Sequence, residues 1–311
     1  MQYRRLGDSG LVVSAVGLGG NNFGRRIDLD STRAVVNTAM DEGVTLIDTA
    51  DIYGESEDFL GKLLRGNRDN LVLATKFGNP LHGPDWEARG GRRYIIRAVE
   101  SSLRRLRTEY IDLYQLHIPD RGTPIEETLA ALDELVRGGK VRYLGISNVD
   151  GWQVADADWT ARSRGFTRFI SVQNNYSLLE REIEAEVTPA CERFGLGILP
   201  YFPLASGLLT GKYHRGEPPP AGTRLAARPE ALNDRAFDVI DKLEKYAAER
   251  GRSLLDVAIG GLAAQSSVAS VIAGATKPEQ VRANVAAVAW EPTPEDLAAL
   301  DEIAPPPRRR R

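Results

Sequence analysis

The chain reads Thr45-Leu46-Ile47-Asp48-Thr49-Ala50-Asp51-Ile52-Tyr53-Gly54, which is a short apolar run followed at once by a turn-rich segment. Such a run, bounded by turn residues, is typical of a buried strand. Asp48 then stands at the end of the strand and Tyr53 follows five residues later, so we expect both side chains to face one cleft. A phenol is a poor proton donor at neutral pH unless a neighbouring cation favours its ionised form.

Two further apolar runs also end in ionisable side chains. Residues 71–75 lead into Lys76, and residues 111–116 lead into His117. In a parallel α/β protein the carboxyl ends of the strands meet at one edge, where active sites lie. Each residue alone has a structural interpretation, as a helix cap, a solvated lysine or a packed histidine. An Asp, a Lys and a His at matching strand ends, together with Tyr53, favour an active site instead.

Apolar strand-like runs and helical segments alternate along almost the whole chain. Strands are predicted to end near Gly20, Asp48, Lys76, His117, Ser147, Gln173, Tyr201 and Gly274. Eight parallel strands with intervening helices and no linker predict an α/β fold, a single (β/α)8 TIM barrel over residues 1–304. An open doubly wound sheet is the alternative. Residues 3–14 surround a Gly/Asp/Ser turn and predict a β-hairpin before the barrel.

The later part of the chain is richer in helices and contains one long loop. Helical periodicity predicts a helix over residues 179–194, extra helices near the C-terminus, and a last regular helix over residues 278–289. A Gly/Pro-rich loop of about thirty residues follows Tyr201. Loops of that length in a compact domain are usually functional or disordered.

Composition argues against several classes of protein. The 311 residues carry a formal net charge of −3 with no basic stripe, which disfavours a nucleic-acid partner, and no metal-ligand set is predicted. The N-terminus has no apolar signal core, and no run approaches the roughly 18 apolar residues that cross a bilayer. Cys191 is the only cysteine, so a packed thiol in a reducing cytoplasm is expected. Residues 305–311 are three prolines followed by four arginines, and we expect them to form a disordered tail.

Other strand ends carry polar groups that suit a ligand. Ser147, Asn148 and Gln173 offer neutral donors and acceptors, as a carboxamide needs, and Tyr201 offers a flat apolar face. Residues 274–279 contain a Thr-to-Glu capping box at the start of a helix. The exposed amides of that helix end suit a phosphate, although an ordinary cap has the same pattern.

These motifs together resemble the aldo-keto reductase family. They are Leu46-Ile47-Asp48-Thr49-Ala50 with Tyr53-Gly54, Thr75-Lys76, Leu116-His117, Gly145-Ile146-Ser147-Asn148, Gln173-Asn174 and Gly274-Ala275-Thr276, in this order. The resemblance covers almost the whole chain, and the combination is specific although no single segment is. It implies a (β/α)8 barrel and a nicotinamide dinucleotide bound without the glycine-rich Rossmann turn. The glycines of residues 17–20 indeed do not complete such a fingerprint.

The resemblance implies a role for each catalytic candidate in the reduction of an aldehyde or ketone to an alcohol. Tyr53 is the general acid that protonates the carbonyl oxygen, and Lys76 stabilises its phenolate. Asp48 pairs with Lys76 and holds it in place. His117 donates a hydrogen bond that orients the substrate oxygen and stabilises its developing charge.

The resemblance also implies a set of cofactor-binding residues. Ser147, Asn148 and Gln173 hold the nicotinamide carboxamide, and Tyr201 stacks beneath its ring. Residues 204–233 fold over the pyrophosphate. The residues assigned to the phosphate and adenine-ribose parts of the cofactor are Leu204, Gly207, Leu209, Gly274, Thr276, Lys277, Gln280 and Asn284.

Two positions depart from the family pattern. Phe202 stands where relatives commonly have Ser after the stacking Tyr, and this is expected to alter the pyrophosphate side of the site. At Gln280 some relatives carry an Arg that clamps a 2′-phosphate. Lys277 or Arg282 is expected to compensate, so NADPH is the predicted cofactor and NADH the alternative.

The substrate and the function leave alternatives open. Phe23, Trp86 and Ile118 lie on loops and are predicted to line an apolar substrate pocket, which by itself selects no compound. The β subunits of voltage-gated potassium channels resemble this family, so a dinucleotide-binding regulatory subunit is the alternative function. The lack of a long N-terminal extension counts against it. A third hypothesis makes Lys76 a Schiff-base amine, but the adjacent Asp48 would keep that amine protonated.

Overall fold

The computed structural model describes residues 1–79, 87–227, 230 and 232–307. The chain begins with a two-stranded antiparallel hairpin, β1 (Tyr3–Arg5) and β2 (Val12–Ser14), as predicted. Leu6 and Val13, in and beside the turn, are fully buried. They belong to the same core cluster as Leu46, the first residue of the strand that ends at Asp48. The hairpin therefore covers the amino-terminal end of the strands.

An eight-stranded parallel sheet forms the centre of the molecule. Its strands, in chain order, are β3 (Val16–Gly19), β4 (Leu46–Asp48), β5 (Val72–Phe77), β6 (Ile111–Leu116), β7 (Val141–Ser147), β8 (Phe169–Gln173), β9 (Gly197–Ile198) and β10 (Val271–Gly274). Strands adjacent in the chain are adjacent in the sheet, and β10 pairs with β3.

Hydrogen bonds between the β9 and β10 segments close this sheet. The Ala269 N–H donates to the carbonyl oxygen of Ile198 at 3.0 Å, and the Ile272 N–H donates to that of Pro200 at 3.0 Å. β9 and β10, the strands at the two edges of the sheet, are thereby joined. The predicted (β/α)8 barrel is confirmed, and the open doubly wound sheet is wrong.

Helices cover the outside of the barrel. They are α1 (Leu29–Asp41), α2 (Ser56–Leu63), α3 (Arg92–Leu106), α4 (Ile125–Arg137), α5 (Gly151–Arg164), α6 (Val187–Phe194), α7 (Asp234–Glu249), α8 (Leu254–Ala263), α9 (Pro278–Ala287) and α10 (Pro294–Ile303). Two helices follow each of the last two strands, so the extra helices near the C-terminus are confirmed.

The helix pattern in the sequence explains how these helices pack. In α3 the buried side chains include Ile95, Val99, Leu103 and Leu106, which recur every three or four residues and form one apolar face. That face lies in the same core cluster as the outward side chains of the strands. The barrel is therefore held by a continuous apolar layer between strands and helices.

Two helix predictions are wrong. The single helix over residues 179–194 is a 3-10 turn at Glu182–Glu184 followed by the shorter α6. No helix begins at residue 179, because the hydroxyl oxygen of Ser177 accepts hydrogen bonds from the N–H groups of residues 179 and 180 and fixes a turn there. The last regular helix is α10, which begins with a capping box between Thr293 and Asp296.

Three other sequence predictions concern the surface and the ends of the chain. Across the described ranges, no helix is long and apolar enough to span a membrane. Cys191 is buried, and burial, together with the charge of Glu192, raises the pKa of its thiol to about 12. The arginines at residues 308–311 and the predicted pocket residue Trp86 lie outside the described residues.

Candidate active site

A cavity of about 600 Å³ lies at the carboxyl ends of the barrel strands. Ser147 and Gln173 end β7 and β8, and His117 directly follows β6, so the strand ends carry their side chains into its wall. The predicted site residues on this wall are Asp48, Tyr53, His117, Ile118, Ser147, Asn148, Gln173, Tyr201, Leu204, Gly207, Gly274, Thr276, Gln280 and Asn284.

Lys76 lies just behind the cavity wall, in β5, and is fully buried. Its Nζ donates to Oδ2 of Asp48 at 2.6 Å and to the carbonyl oxygen of Thr49 at 2.8 Å. Burial lowers the pKa of Lys76, but the charges of Asp48 and Tyr53 outweigh it and hold that pKa above its ordinary value. The amine is therefore an ammonium at neutral pH, which counts against a Schiff-base role.

The second oxygen of Asp48 is held by two amide side chains. Its Oδ1 accepts from Nε2 of Gln115 at 3.0 Å and from Nε2 of Gln173 at 2.9 Å. A buried carboxylate is stable only when it is paired and hydrogen-bonded. Because both oxygens are occupied, Asp48 fixes the position of Lys76 at the base of the cavity.

Tyr53 and His117 meet above this ion pair. The Nζ of Lys76 lies 5.0 Å from the centroid of the Tyr53 ring, and the His117 ring meets the Tyr53 ring edge-on at 5.9 Å between centroids. Burial, and then the positive charge of Lys76, lower the pKa of His117 to about 3. The imidazole is therefore neutral and donates from one ring nitrogen only.

A second buried polar group lies behind the turn that carries Tyr53. The N–H of Asp51 donates to the carbonyl oxygen of Lys76 at 3.1 Å. Glu57 accepts from Thr75 and Arg105, each at 2.6 Å. Burial, and then the negative charge of Glu57, raise the pKa of Asp51 to about 7. The turn between β4 and α2 thus packs a second carboxyl group close to the backbone of Lys76.

Another part of the cavity wall is formed by neutral polar groups and one aromatic ring. The hydroxyl of Ser147 donates to the carbonyl oxygen of Gln173 at 2.6 Å. Asn148 has a positive φ of 57° and donates from Nδ2 to the carbonyl oxygen of His117 at 2.9 Å. Its Oδ1 accepts from the hydroxyl of Tyr201 at 2.7 Å. These bonds fix this part of the cavity wall.

The chain after Tyr201 winds through unusual backbone conformations along the cavity. Phe202, Ala205 and Ser206 have φ values of 50°, 45° and 60°, and Gly207 has a φ of 103°. Left-handed backbone at residues other than glycine costs free energy and clusters at functional sites. This segment is therefore held by its surroundings rather than by local preference.

The capping box predicted at Thr276 is wrong. The N-cap of α9 is Lys277, and its side chain makes no capping bond. The Oε1 of Gln280 instead accepts from the N–H and the hydroxyl of Thr276, at 2.7 and 3.1 Å. Pro278 at the first helical position moves the helix start by one residue, because its fixed φ suits that position.

Several predicted residues are not among those that line the cavity. Phe23 and Leu209 are fully buried in hydrophobic core clusters, where their apolar side chains are excluded from water. Lys277 is exposed at the start of α9, outside the cavity lining. The prediction for Trp86 falls outside the described residues.

The cavity wall also contains residues that the sequence analysis did not predict. They include Asn21, Asn22, Arg26 and Asn79, together with Phe202, which the sequence marks only as a departure from the family pattern. Lys212 and Arg224 also line the cavity, and they belong to the segment 204–233 that the resemblance places over the pyrophosphate. Asn21 and Asn22 follow β3 after Gly20, so the same strand-end pattern that points to His117 also points to them. Arg26, Lys212 and Arg224 lie in irregular loops, where no periodic pattern points to a shared site.

Comparison with known proteins agrees with the fold. A model of the Aldo/keto reductase family matches residues 15–305. The chain is 38% identical to the uncharacterized oxidoreductase YrpG of Bacillus subtilis strain 168, over 99% of this chain and 97% of the relative. It is 34% identical to a probable voltage-gated potassium channel subunit beta of Oryza sativa subsp. japonica, over 97% and 96%.

A third relative has a named reaction. The chain is 34% identical to L-glyceraldehyde 3-phosphate reductase of Escherichia coli strain K12, over 93% of this chain and 88% of the relative. The chain belongs to the aldo/keto reductase family, a family of oxidoreductases. Proteins of this family act on small carbonyl compounds and generally bind a nicotinamide dinucleotide.

Proposed function

We propose that the protein reduces aldehydes or ketones to alcohols with NADPH, and that Tyr53 is the general acid. The observation that carries this proposal is the buried Lys76 ammonium, which is bonded to Asp48 at 2.6 Å and adjoins the Tyr53 ring at 5.0 Å. A fixed positive charge beside a phenol stabilises the phenolate that remains after proton transfer. The His117 ring meets the same Tyr53 ring edge-on, with 5.9 Å between the ring centroids.

Each residue of this group has a distinct task in the proposed reaction. A nicotinamide held in the cavity would supply the hydride for the carbonyl carbon. Tyr53 gives its hydroxyl proton to the carbonyl oxygen, and Lys76 stabilises the resulting phenolate. Asp48 keeps Lys76 charged and in position. The neutral His117 donates a hydrogen bond to the carbonyl oxygen, which aligns the substrate and stabilises the charge that develops there.

The cavity wall fits a dinucleotide in size and chemistry. Its volume of about 600 Å³ lies within the usual range for small-molecule sites. Ser147 and Asn148 offer neutral polar groups for the carboxamide, and Tyr201 offers a ring face. Gln173 already donates to Asp48, so it links the cofactor end of the site to the ion pair.

We further propose that NADPH is preferred over NADH because Lys277 pairs with the 2′-phosphate. The side chain of Arg282, the other candidate for this role, forms an ion pair with Glu42, with 3.4 Å between Nε and Oε1. Lys277 is exposed at the start of α9, between Thr276 and Gln280, which both line the cavity. Measured dissociation constants should be lower for NADPH than for NADH. Tighter binding of NADH would overturn this preference.

The acid assignment is tested by Tyr53→Phe, which removes one hydroxyl and keeps the ring. We expect turnover to fall by roughly 100-fold to 10,000-fold, because general acid catalysis contributes about that much. The dissociation constant for NADPH, measured by its fluorescence, should change little. A variant with the turnover of the unmodified protein would refute the role of Tyr53.

A dinucleotide-binding regulatory subunit is the second candidate function. It is favoured by the 34% identity to a probable potassium channel subunit beta. The two functions differ in turnover rather than in cofactor binding, because the same cavity serves both. A broad panel of aldehydes and ketones followed by NADPH absorbance separates them. Tight NADPH binding without turnover of any carbonyl compound would favour the regulatory function.

A further inference from the structure

Three polar side chains of the cavity wall use all their hydrogen-bond donors within the protein. The hydroxyl of Ser147 donates to the carbonyl oxygen of Gln173 at 2.6 Å. Nδ2 of Asn148 has two hydrogens, and it donates to the carbonyl oxygen of His117 at 2.9 Å and to Oγ of Ser147 at 3.1 Å. The hydroxyl of Tyr201 donates to Oδ1 of Asn148 at 2.7 Å. These three side chains therefore have only oxygen lone pairs left for a ligand in the cavity.

The side-chain amide of Gln173 also directs its donors into the protein. Its Nε2 lies 2.9 Å from Oδ1 of Asp48, and a carboxylate oxygen can only accept, so the amide nitrogen and not the amide oxygen must face Asp48. Nε2 also lies 3.5 Å from Oε1 of Gln115, which can take its second hydrogen. Among the described residues, none donates to Oε1 of Gln173, and this residue lines the cavity. Gln173 therefore offers the cavity an acceptor as well.

Gln115 supports this orientation from inside the barrel. It is fully buried in β6, and its own Nε2 donates to Oδ1 of Asp48 at 3.0 Å. Because its nitrogen is at Asp48, its oxygen is the atom that faces Gln173. Gln115 pairs in register with Gly145 of β7, where a Cβ would lie 2.9 Å from Cγ of Gln115. The glycine therefore leaves the room that the side chain of Gln115 needs.

Ser147, Asn148, Gln173 and Tyr201 together form a surface of acceptors, which we call the acceptor wall. Such a surface distinguishes ligand groups by whether they can donate. The NH2 of a carboxamide has two hydrogens for these oxygens. A methyl ketone of nearly the same shape has an oxygen but no donor, so it would displace water from the wall and leave acceptors unpaired. Unpaired buried acceptors cost affinity, which makes this kind of discrimination strong.

We propose that Asp48, through the orientation that it imposes on the amide of Gln173, makes the cavity selective for a dinucleotide whose pyridine ring carries a carboxamide. This inference rests on the dinucleotide binding of the proposed function and gives Asp48 a second task. One oxygen of Asp48 holds the ammonium of Lys76, and the other determines which atom of Gln173 meets the ring substituent. In this second task Asp48 and Gln115 are positioning residues, because they act through Gln173.

The variant Asp48→Asn should reverse the amide of Gln173. Nζ of Lys76 is a donor, so the new side chain turns its oxygen towards Lys76 and its NH2 towards Gln115 and Gln173. Both glutamines must then present their oxygens to that NH2. The amide nitrogen of Gln173 is thereby directed into the cavity. The acceptor wall gains a donor, and the oxygen of a ketone becomes a suitable partner for it.

The test compares the dissociation constants of two dinucleotides by isothermal titration calorimetry, with the full chain. The probes are NADP+ and its 3-acetylpyridine analogue, which has the same charge and carries a methyl ketone instead of the carboxamide. The unmodified protein should bind the analogue at least about tenfold more weakly than NADP+, since acceptors of the wall stay unpaired. In Asp48→Asn this ratio should fall to about twofold or less. An unchanged ratio would overturn the proposal, and so would equal affinities in the unmodified protein.

Asp158→Asn is the matched control for the loss of a buried carboxylate. Asp158 is buried in α5, and its two oxygens accept from Arg162 and Arg168, but it does not line the cavity. The ratio of the two dissociation constants in Asp158→Asn should stay within about twofold of the ratio in the unmodified protein. A fall as large as that in Asp48→Asn would count against a specific effect of Asp48.

Gln173→Met decides the question if Asp48→Asn does not fold. It removes the amide, so the affinity for NADP+ should fall about tenfold while that for the analogue changes by less than about twofold. An equal loss of affinity for both probes would mean that Gln173 only supports the structure, and would overturn the proposal. If the unmodified protein binds neither probe, the proposed function itself fails, whereas equal binding of both contradicts only the selectivity.

Discussion

Asp51 lies in the turn between Asp48 and Tyr53, with one buried carboxyl oxygen that has no hydrogen-bond partner among the described residues. Its pKa of about 7 means that the folded protein keeps a proton that the unfolded chain releases near pH 4. The stabilisation from this proton is full below about pH 4 and is lost as the pH rises through about 7. The free energy of unfolding should fall over that window by at most about 1.4 kcal/mol per pH unit.

The variant Asp51→Asn tests this pH dependence at the residue scale. It removes the titrating proton, so the stability of the variant relative to the unmodified protein should rise between pH 5 and pH 8, by roughly 2–3 kcal/mol. Urea denaturation at the two pH values measures the difference. Asp30→Asn, at an 84% exposed side chain, is the control and should show no such trend. A pH-independent difference for Asp51→Asn would contradict the explanation.

At the scale of elements, α2 and α3 approach each other closely at a glycine. A Cβ on Gly61 would overlap the carbonyl oxygen of Arg105 and lie 2.8 Å from the carbonyl carbon of Leu106. These are backbone atoms at the end of α3, so no side chain can move aside. This packing places Glu57 of α2 against Arg105 of α3, behind the turn that carries Tyr53.

Gly61→Ala should therefore destabilise the protein, even though alanine favours a helix by about 1 kcal/mol. Overpacking costs roughly 1–3 kcal/mol and requires the two helices to separate. Gly261→Ala in α8 is the comparison, because its Cβ would meet the end of the Leu300 side chain at 3.2 Å, which can rotate. Thermal denaturation of both variants measures the effect. If Gly61→Ala were the more stable of the two, the close approach would not be rigid.

At the scale of the whole molecule, the two ends of the barrel have different tasks. The hairpin closes the amino-terminal end with Leu6 and Val13, both fully buried, while the cavity opens at the carboxyl ends of the strands. Substitutions at the hairpin end are therefore expected to affect stability and to leave ligand binding by the folded protein unchanged.

Leu6→Ala should lower the free energy of unfolding by roughly 2–5 kcal/mol, because it leaves a cavity in the core. Val12→Ala, in the same hairpin at a side chain that is 48% exposed, should change it by less than about 0.5 kcal/mol. Both variants should bind NADPH like the unmodified protein at a temperature where they are folded. Weaker NADPH binding by folded Leu6→Ala would show that the two ends are coupled.

The sequence by itself determined the order of strands and helices and the residues at the strand ends. Asp48, Lys76 and His117 could be located because an apolar run and the turn after it are local patterns, which act over only a few residues. Parallel strands then bring their carboxyl ends to one edge, whatever the details of packing. The same reasoning does not predict α10, because this helix buries only Leu300 and so has no apolar face that recurs along the sequence.

Only the tertiary structure decided which loop residues meet across the cavity. Arg26 and Gly222 are 196 positions apart, and their contact depends on how the barrel closes and how the loop before α7 is packed. Whether Phe23 and Leu209 face the cavity or the core likewise depends on packing against distant elements. Local propensity carries no information about such contacts, because they form only after the chain between them has been folded into place.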